Sequence, residues 1–214
     1  MGSREVYLYK SIVKLTKRQI AILVGTVLGD GFLQKTGTKN ARLRLEHGDK
    51  QKEYLLWKAA QFPRLFQGKP SYLERKHPKS GGVYKYWRQQ SSATPELGKW
   101  RALFYPEGKK QIPDTLAELL TESLALAVWY MDDGYYYGRD KVSYLYLGCV
   151  TKNEALIARN AIEKNFGIVS RVYDKKKKGF ALYFPRVETI HMHNTIRNHI
   201  LPIFNYKLNS SLTP

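Results

Sequence analysis

The spacing of apolar and polar residues along this chain switches between the period of a helix and the period of a strand. The same order of helix-like and strand-like segments occurs twice. Apolar residues recur at helical spacing over residues 17–29 and again over 122–133, so each stretch predicts a helix. After each helix, alternation of apolar and polar residues predicts two strands, then a helix, two further strands and a last helix. The pattern therefore predicts an α+β fold of two pseudo-symmetric halves, each with the order αββαββα.

Each predicted element has a counterpart in the other half. In the first half we predict strands at 32–36, 41–47, 70–77 and 82–91 and helices at 50–65 and 95–105. In the second half we predict strands at 135–138, 142–149, 168–175 and 179–184 and helices at 152–165 and 186–198. A repeat of about 100 residues indicates a duplicated domain.

Local signals mark the boundaries of several elements. Thr16 with Gln19, and Thr151 with Glu154, have the spacing of capping boxes at helix starts. Proline, glycine and charge at 106–115 predict a linker between domains at 1–105 and 116–214. The lysine-rich stretch 175–179 predicts a basic hairpin turn, and residues 209–214 are predicted to be frayed.

The first helix of each half ends in a similar nine-residue motif. The motifs are LVGTVLGDG at residues 23–31 and LAVWYMDDG at 126–134, and they place Asp30 and Asp133 at the same position. A carboxylate at a helix C-terminus meets the partial negative charge of the helix dipole, which a bound cation would offset. Paired carboxylates suit Mg²⁺, so we predict a metal site at Asp30 and Asp133, with Gly29 and Asp132 as the preceding motif positions.

Small residues in the motifs predict that their helices approach closely. Gly25 and Gly29 lie four residues apart on one face of the first helix, and Ala127 has a similar place in the second. The glycine after each aspartate permits a left-handed turn out of the helix.

Composition and charge narrow the class of partner. Lys and Arg number 36 against 18 Asp and Glu, which gives a net charge of +18 and favours a nucleic acid. Hydrophobic residues at 43% and aromatic residues at 13% indicate a folded chain. The single cysteine, Cys149, excludes an internal disulfide and a cysteine-based zinc site. The apolar stretch 20–28 is too short to span a bilayer, and no signal peptide is evident.

The predicted strands carry one apolar face and one face of basic and hydrogen-bonding side chains. Such a sheet face suits a DNA groove, because its side chains reach phosphates and base edges. The predicted DNA contacts are Lys35, Arg42, Arg44, Arg75, Lys85, Tyr86, Arg88, Gln90, Arg139, Tyr144, Tyr146, Arg171, Tyr173, Lys175 and Lys177. A solvated outer face is the alternative interpretation of the same pattern.

The paired motifs, with KKQIP at 109–113, Leu-Pro at 201–202 and YKL at 206–208, resemble the LAGLIDADG homing endonucleases. The similarity is to the single-chain, two-motif, intron-encoded members and covers residues 17–208. It implies a DNA-binding saddle with the motif helices at the interface of the halves. It also implies Mg²⁺ or Mn²⁺ at Asp30 and Asp133, Ca²⁺ binding without cleavage, and double-strand breaks with short 3′ overhangs.

The same resemblance implies further catalytic residues. By motif position Lys110 and Lys207 flank the metals, and Glu46 near the end of the second strand completes one site. The counterpart of Glu46 is Gly148, which predicts two unequal cleavage centres. The histidines form no metal-binding spacing, and we assign them no chemistry.

Alternative functions remain compatible with this fold and charge. An intron RNA maturase, a non-cleaving sequence-specific DNA-binding regulator and a general basic binding protein are the competing hypotheses. Retention of both Asp30 and Asp133 favours the endonuclease. We expect a monomer that binds double-stranded DNA and no membrane, with intron RNA as a second partner. We expect it to be encoded in a mitochondrion or chloroplast, or else to be located in a microbial cytoplasm.

Overall fold

The computed structural model describes residues 13–76 and 81–209, which form two compact units. Unit 1 comprises the described residues up to Gln19 together with Asp30–Pro106, and unit 2 comprises Ile20–Gly29 together with those from Glu107 onwards. The predicted α+β fold is confirmed, because each unit contains one four-stranded antiparallel sheet packed with helices.

The first half of the chain follows the predicted order of elements. These are α1 (Lys17–Leu28), β1 (Phe32–Lys35), β2 (Ala41–Gly48), a 3-10 turn (Asp49–Gln51), α2 (Lys52–Ala60), β3 (Ser71–Lys76), β4 (Val83–Gln90) and α3 (Pro95–Phe104). The sheet order is β1-β2-β4-β3. Leu33, Leu43 and Leu45 form its buried face, on which α2 and α3 pack.

The second half repeats this order after the short helix α4 (Leu116–Leu119). Its elements are α5 (Ser123–Asp133), β5 (Gly134–Tyr137), β6 (Val142–Gly148), α6 (Lys152–Phe166), β7 (Arg171–Asp174), β8 (Phe180–Phe184) and α7 (Arg186–Ile196), followed by 3-10 turns at Arg197–His199 and Pro202–Lys207. The sheet order is β5-β6-β8-β7, which is the equivalent of the order in unit 1.

Capping interactions explain why the helix boundaries match the sequence so closely. The Gln19 amide donates to Thr16 Oγ1 at 3.2 Å, and the Thr16 amide donates to Gln19 Oε1 at 3.0 Å. Thr151 and Glu154 form the second capping box reciprocally. These bonds satisfy amides that have no partner in the first turn of a helix, so both predicted capping boxes are confirmed.

Some boundaries differ from the sequence prediction, including the strand predicted at 168–175, which is shorter at Arg171–Asp174. The helix predicted over 50–65 is shorter, because α2 ends at Ala60 and Pro63 disfavours a helical conformation at Phe62. The tail predicted to be frayed begins with a buried residue, Asn209, whose amide donates to Nδ1 of His193 at 3.0 Å. The remainder of that tail, 210–214, lies outside the described residues. Among those residues, no helix is long and apolar enough to cross a membrane.

Within unit 2 the two motif helices pack with their backbones close together. A Cβ built on Gly25 would overlap the carbonyl oxygen of Ala125 and lie 2.8 Å from Cβ of Val128. Ala127 is fully buried in α5. The close approach that the small residues predict is thus confirmed, and glycine is the residue that permits it at this position.

We expect Gly25→Ala to destabilise the protein by about 1–3 kcal/mol. The new methyl group meets a backbone carbonyl that has little freedom to move, and this overpacking outweighs the better helix propensity of alanine. Urea unfolding measures the effect. Gly68→Ala is the matched control, since a Cβ there meets nothing within 4 Å. Equal stabilities of the two variants would contradict the close packing of the helices.

Candidate active site and nucleic-acid interface

Two lysines contact the C-terminal ends of the two motif helices within unit 2. The Nζ of Lys110 donates to the carbonyl oxygen of Gly29 at 2.5 Å. The Nζ of Lys207 donates to the carbonyl oxygens of Met131 at 2.7 Å and Asp132 at 3.3 Å. These carbonyls carry the partial negative charge of a helix end, so a cation is favourable there. The two lysines therefore hold equivalent places, although they come from distant parts of the chain.

The aspartates of both motifs adjoin these lysine contacts. Asp30 follows Gly29 in the chain, and Asp133 follows Asp132. Gly29 has a steric role as well, because a Cβ at this position would overlap the carboxylate of Asp132. Each predicted metal-binding aspartate thus comes directly after a carbonyl group that a lysine contacts.

The chain leaves α5 differently from the sequence prediction. A left-handed turn was predicted after the aspartate, but Gly134 has a φ of −76° and begins β5 in an extended conformation. Glycine occupies this position for a packing reason, since a Cβ would overlap the ring and the carbonyl oxygen of Tyr130.

A buried polar network holds Lys207 in place. The hydroxyl of Tyr130, on the motif helix α5, donates to the carbonyl oxygen of Lys207 at 2.9 Å. The same hydroxyl lies 3.1 Å from Oγ of Ser143 and 3.1 Å from Nε2 of His193. Burial raises the pKa of the Tyr130 hydroxyl, so it stays protonated. This network fixes the backbone of the last 3-10 turn, from which the side chain of Lys207 reaches the helix end.

The network also assigns the protonation of His193, a residue whose role the sequence did not reveal. The amide of Asn209 donates to Nδ1, so that nitrogen accepts and the proton of the neutral ring lies on Nε2. Nε2 then donates to Tyr130 or Ser143. His193 is fully buried, and burial lowers the pKa of its imidazole to about 4 from 6.5.

This pKa predicts a loss of stability in mild acid. The unfolded chain binds a proton at His193 near pH 6.5, whereas the folded chain resists it until about pH 4. His193 therefore makes its full contribution to the free energy of unfolding above pH 6.5. That contribution, about 3 kcal/mol, is lost as the pH falls towards 4. An NMR titration of the imidazole, together with urea unfolding between pH 7 and 4.5, measures it.

His193→Gln should lose this part of the pH dependence. His191→Gln is the control and should keep it, because His191 is exposed on the same helix. A pKa near 6.5 for His193 in the folded protein would overturn the assignment.

In unit 1, Asp30 opens onto a polar cavity beside the C-terminal end of β2. The cavity has a volume of about 290 Å³ and is lined by Asp30, Glu46, His47, Gly48, Gln51, Arg75, Tyr84 and Tyr86. The carboxylate of Asp30 is 49% exposed. The structure thus brings two predicted catalytic residues, Asp30 and Glu46, to one cavity.

Glu46 is held by two arginines on the same sheet face. Its Oε1 lies 2.9 Å from Nε of Arg44 and 2.6 Å from Nε of Arg88. Both guanidinium groups are therefore oriented by one carboxylate that is itself about three-quarters buried. Besides lining the cavity with Asp30, Glu46 positions two predicted DNA contacts.

His47 and Lys58 form a buried pair behind Asp30 that sequence reasoning missed. Nδ1 of His47 lies 3.9 Å from Oδ2 of Asp30, and Nε2 lies 3.4 Å from Nζ of Lys58. Lys58 is fully buried, with its Nζ 4.3 Å from the ring centroid of Tyr54. An ammonium group only donates, so Nε2 accepts and the proton of a neutral ring lies on Nδ1, facing the aspartate.

The outward face of the unit 1 sheet carries most of the DNA contacts predicted for this half. The register pairs Arg44 with Gln90, and Glu46 with Arg88, so these side chains share one face. That face also contains Phe32, Gln34, Arg42, Arg75, Tyr84 and Tyr86. Lys35 and Lys85 are on the opposite side of their strands, and Lys85 pairs with Glu74 at 3.3 Å.

The outward face of the unit 2 sheet is rich in tyrosine. The register places Tyr144, Tyr146, Arg171 and Tyr173 on one face, as predicted, together with Tyr135, Tyr137 and Tyr183. Tyr135 and Tyr137 are absent from the predicted DNA contacts, although they alternate along the stretch YYYG at 135–138 and so share one face of the strand.

Three further predicted contacts of unit 2 lie in turns. Lys175 and Lys177 belong to the turn between β7 and β8, where the predicted basic hairpin is confirmed. Nζ of Lys175 lies 4.3 Å from the ring centroid of Tyr146. Arg139 lies between β5 and β6 and pairs with Asp140 at 2.9 Å.

Comparison with known proteins identifies the class that this fold and these residues define. The family model of the LAGLIDADG DNA endonuclease family matches residues 20–191. The chain therefore belongs to the LAGLIDADG DNA endonuclease family, and the resemblance found in the sequence is confirmed.

Individual relatives agree with this assignment. The probable intron-encoded endonuclease 1 of Wickerhamomyces canadensis is 28% identical over 205 residues, covering 93% of this chain and 87% of that protein. A RecA protein of Mycobacterium shimoidei is 35% identical over 123 residues, covering 56% of this chain and 26% of that protein. The chain spans between about a quarter and a half of the length of the RecA proteins that it matches.

A solved structure matches this chain over nearly its whole length. The homing endonuclease I-WcaI, bound to its DNA recognition sequence, superposes with a TM-score of 0.87 at 27% identity. The match covers 97% of this chain and 94% of that one. The two four-stranded sheets are thus those of a two-motif homing endonuclease fold.

Proposed function

We propose that this chain is a monomeric, site-specific homing endonuclease that makes a double-strand break in a long asymmetric DNA target. The break forms by divalent-metal-dependent hydrolysis and leaves short 3′ overhangs. The observation that carries this proposal is the equivalent placement of Lys110 and Lys207 at the motif helix ends, each next to an aspartate. Family membership and the DNA-bound state of I-WcaI support it.

The residues present fit a hard divalent cation. Asp30 presents a partly exposed carboxylate to a cavity that also contains the carboxylate of Glu46, and such oxygen donors suit Mg²⁺ or Mn²⁺. Asp30 and Asp133 would each hold a divalent metal, with Gly29 and Asp132 as the neighbouring motif positions. When bound, the metal supplies an activated water and neutralises charge on the phosphate. Ca²⁺ uses the same oxygen ligands, and we propose that it binds without supporting cleavage.

The lysines act on the phosphate that is cut. We propose that the ammonium groups of Lys110 and Lys207 stabilise the negative charge that develops on the phosphate oxygens. Their helix-end contacts keep them in place before DNA binds, so little reorganisation is needed. For Lys207 the buried hydroxyl of Tyr130 adds a second support through the backbone.

The two strands are cut at unequal rates. Glu46 lines the cavity beside Asp30, whereas its counterpart Gly148 has no side chain and a left-handed φ of 70°. A Cβ built on Gly148 would meet nothing within 4 Å, so the position that the glutamate takes in the first half is open space here. Only one of the two motif aspartates thus has a glutamate at the repeated position.

DNA contact is assigned to the outward faces of the two sheets, with one sheet for each half of the target. The net charge of +18 makes binding depend steeply on salt, because each neutralised phosphate releases counterions. The basic side chains in the turns, such as Lys175 and Lys177, suit phosphate contact rather than base contact.

Cleavage of a randomised DNA library tests this function. Cuts at one long site that require Mg²⁺ and disappear with a chelator or with the double variant Asp30→Asn/Asp133→Asn would support it. Selective binding of the same library without cuts by the unaltered chain would refute the nuclease and favour a DNA-binding regulator. Splicing of an intron RNA without DNA cleavage would instead favour the maturase.

A further inference from the structure

The two sheets expose different chemistry on their outward faces. In unit 1 the face carries a hydrogen-bonded arginine cluster beside the stacked rings of Tyr84 and Tyr86. Arg42 donates to Oε1 of Gln90 at 3.1 Å, and Glu46 pairs with Arg44 and Arg88 at 2.9 and 2.6 Å. Each guanidinium is therefore held in a defined orientation on a rigid strand. Oriented guanidinium groups suit the bidentate recognition of guanine N7 and O6 in the major groove.

In unit 2 the corresponding face is organised by tyrosine rings. The ring centroid of Tyr144 lies 5.2 Å from that of Tyr183, 5.9 Å from that of Tyr137 and 6.2 Å from those of Tyr146 and Tyr173. Tyr137 and Tyr173 are 43% and 53% exposed, so the cluster is open to a ligand. Packed rings present a stiff apolar surface edged by hydroxyl groups.

This tyrosine cluster is suited to DNA rather than to another protein. Arg171 lies on the same face, and the lysine turn that follows β7 adds positive charge beside it. Positive charge around an apolar patch fits the methyl groups of thymine inside a groove flanked by phosphates. The homing endonuclease structure that superposes with a TM-score of 0.87 is bound to DNA, which agrees with this choice of ligand.

We propose that the two sheets discriminate bases by different means. The unit 1 sheet recognises guanine through oriented arginines, and the unit 2 sheet recognises thymine through apolar contact of its tyrosine rings with the C5 methyl group. The inference rests on the proposed DNA-binding function and adds to it the base chemistry of each half of the target. It follows that the unit 2 half of the target contains thymine at the positions that matter most.

Base analogues placed in one half of the selected target test this assignment. The half of the target that each sheet binds is assigned first. Arg42→Ala should lose base preference in the half that the unit 1 sheet binds, and Tyr173→Ala should lose it in the half that the unit 2 sheet binds. Deoxyuridine in place of thymine removes the methyl group, and 7-deazaguanine removes the N7 acceptor. We expect deoxyuridine to weaken binding about fourfold for each buried methyl in the unit 2 half. We expect 7-deazaguanine to weaken it about tenfold per site in the unit 1 half. Each analogue in the opposite half should change affinity less than twofold.

Tyrosine variants separate ring contact from hydroxyl contact. Tyr173→Ala should lose the sensitivity to deoxyuridine at its position, whereas Tyr173→Phe should retain it. Equal sensitivity of both halves to both analogues, or a unit 2 half-site without thymine, would overturn the assignment. So would loss of the deoxyuridine effect in Tyr173→Phe, because the hydroxyl group would then make the contact. Failure to select any DNA target refutes the proposed function itself, so the two failures are distinguishable.

Discussion

Asp30→Asn is expected to lower double-strand cleavage by at least about 10³-fold while DNA affinity changes less than threefold. Asparagine keeps the shape of the side chain but removes the charge that would hold a divalent cation. Loss of metal-derived stabilisation of several kcal/mol corresponds to this factor in rate. Asp133→Asn should have the same effect on double-strand breaks. Cleavage of a supercoiled plasmid carrying the target separates nicked from linear product and measures both.

Asp140→Asn is the charge-matched control for both variants. Asp140 is an exposed carboxylate that pairs with Arg139 in a turn of unit 2, so its removal changes net charge equally without touching either motif. It should cut at the rate of the unaltered protein. Full double-strand cleavage by Asp30→Asn or by Asp133→Asn would contradict the assignment of the aspartates and with it the nuclease mechanism.

Lys110→Met is expected to slow cleavage of one strand about 100-fold and to leave the other strand nearly unaffected. Methionine retains the aliphatic length but loses the ammonium group that contacts the end of α1. The loss of one preorganised charge near a developing oxyanion typically costs this factor. Single-turnover assays with each strand labelled separately measure the two rates and should show accumulation of a nicked intermediate.

The adjacent residue offers a matched control. Lys109→Met removes the same charge from an exposed neighbouring position, so it should weaken binding to the same small extent. It should not slow cleavage. Equal slowing by Lys109→Met and Lys110→Met would show that general basicity, and not the helix-end ammonium group, accounts for the effect.

The order and bounds of the elements were accessible from the sequence because local interactions decide them. Thr16 and Thr151 cap helices through residues only three positions away, and strand alternation depends on neighbouring side chains. The internal repeat added a second kind of information, because it aligned Asp30 with Asp133. Resemblance to a family then indicated Lys110 and Lys207, which composition alone would have left as surface lysines.

The residues that hold the site's side chains in place are brought there by tertiary contacts. Nζ of Lys58 lies beside Nε2 of His47. The carbonyl oxygen of Lys207 accepts a hydrogen bond from the hydroxyl of Tyr130, which lies 77 residues earlier in the chain. No local sequence pattern encodes either pair. Gly134 is required by the ring of Tyr130 and not by its own φ.

By itself, then, the sequence of this protein determined the fold class and the pair of motif aspartates, and its net charge favoured a polyanionic partner, since periodicity, repetition and net charge are properties of the chain. Only the tertiary structure decided which side chains surround those aspartates. It alone also showed that hydrogen-bonded arginines cluster on one sheet and packed tyrosine rings on the other, because strand register and burial arise from packing between distant segments.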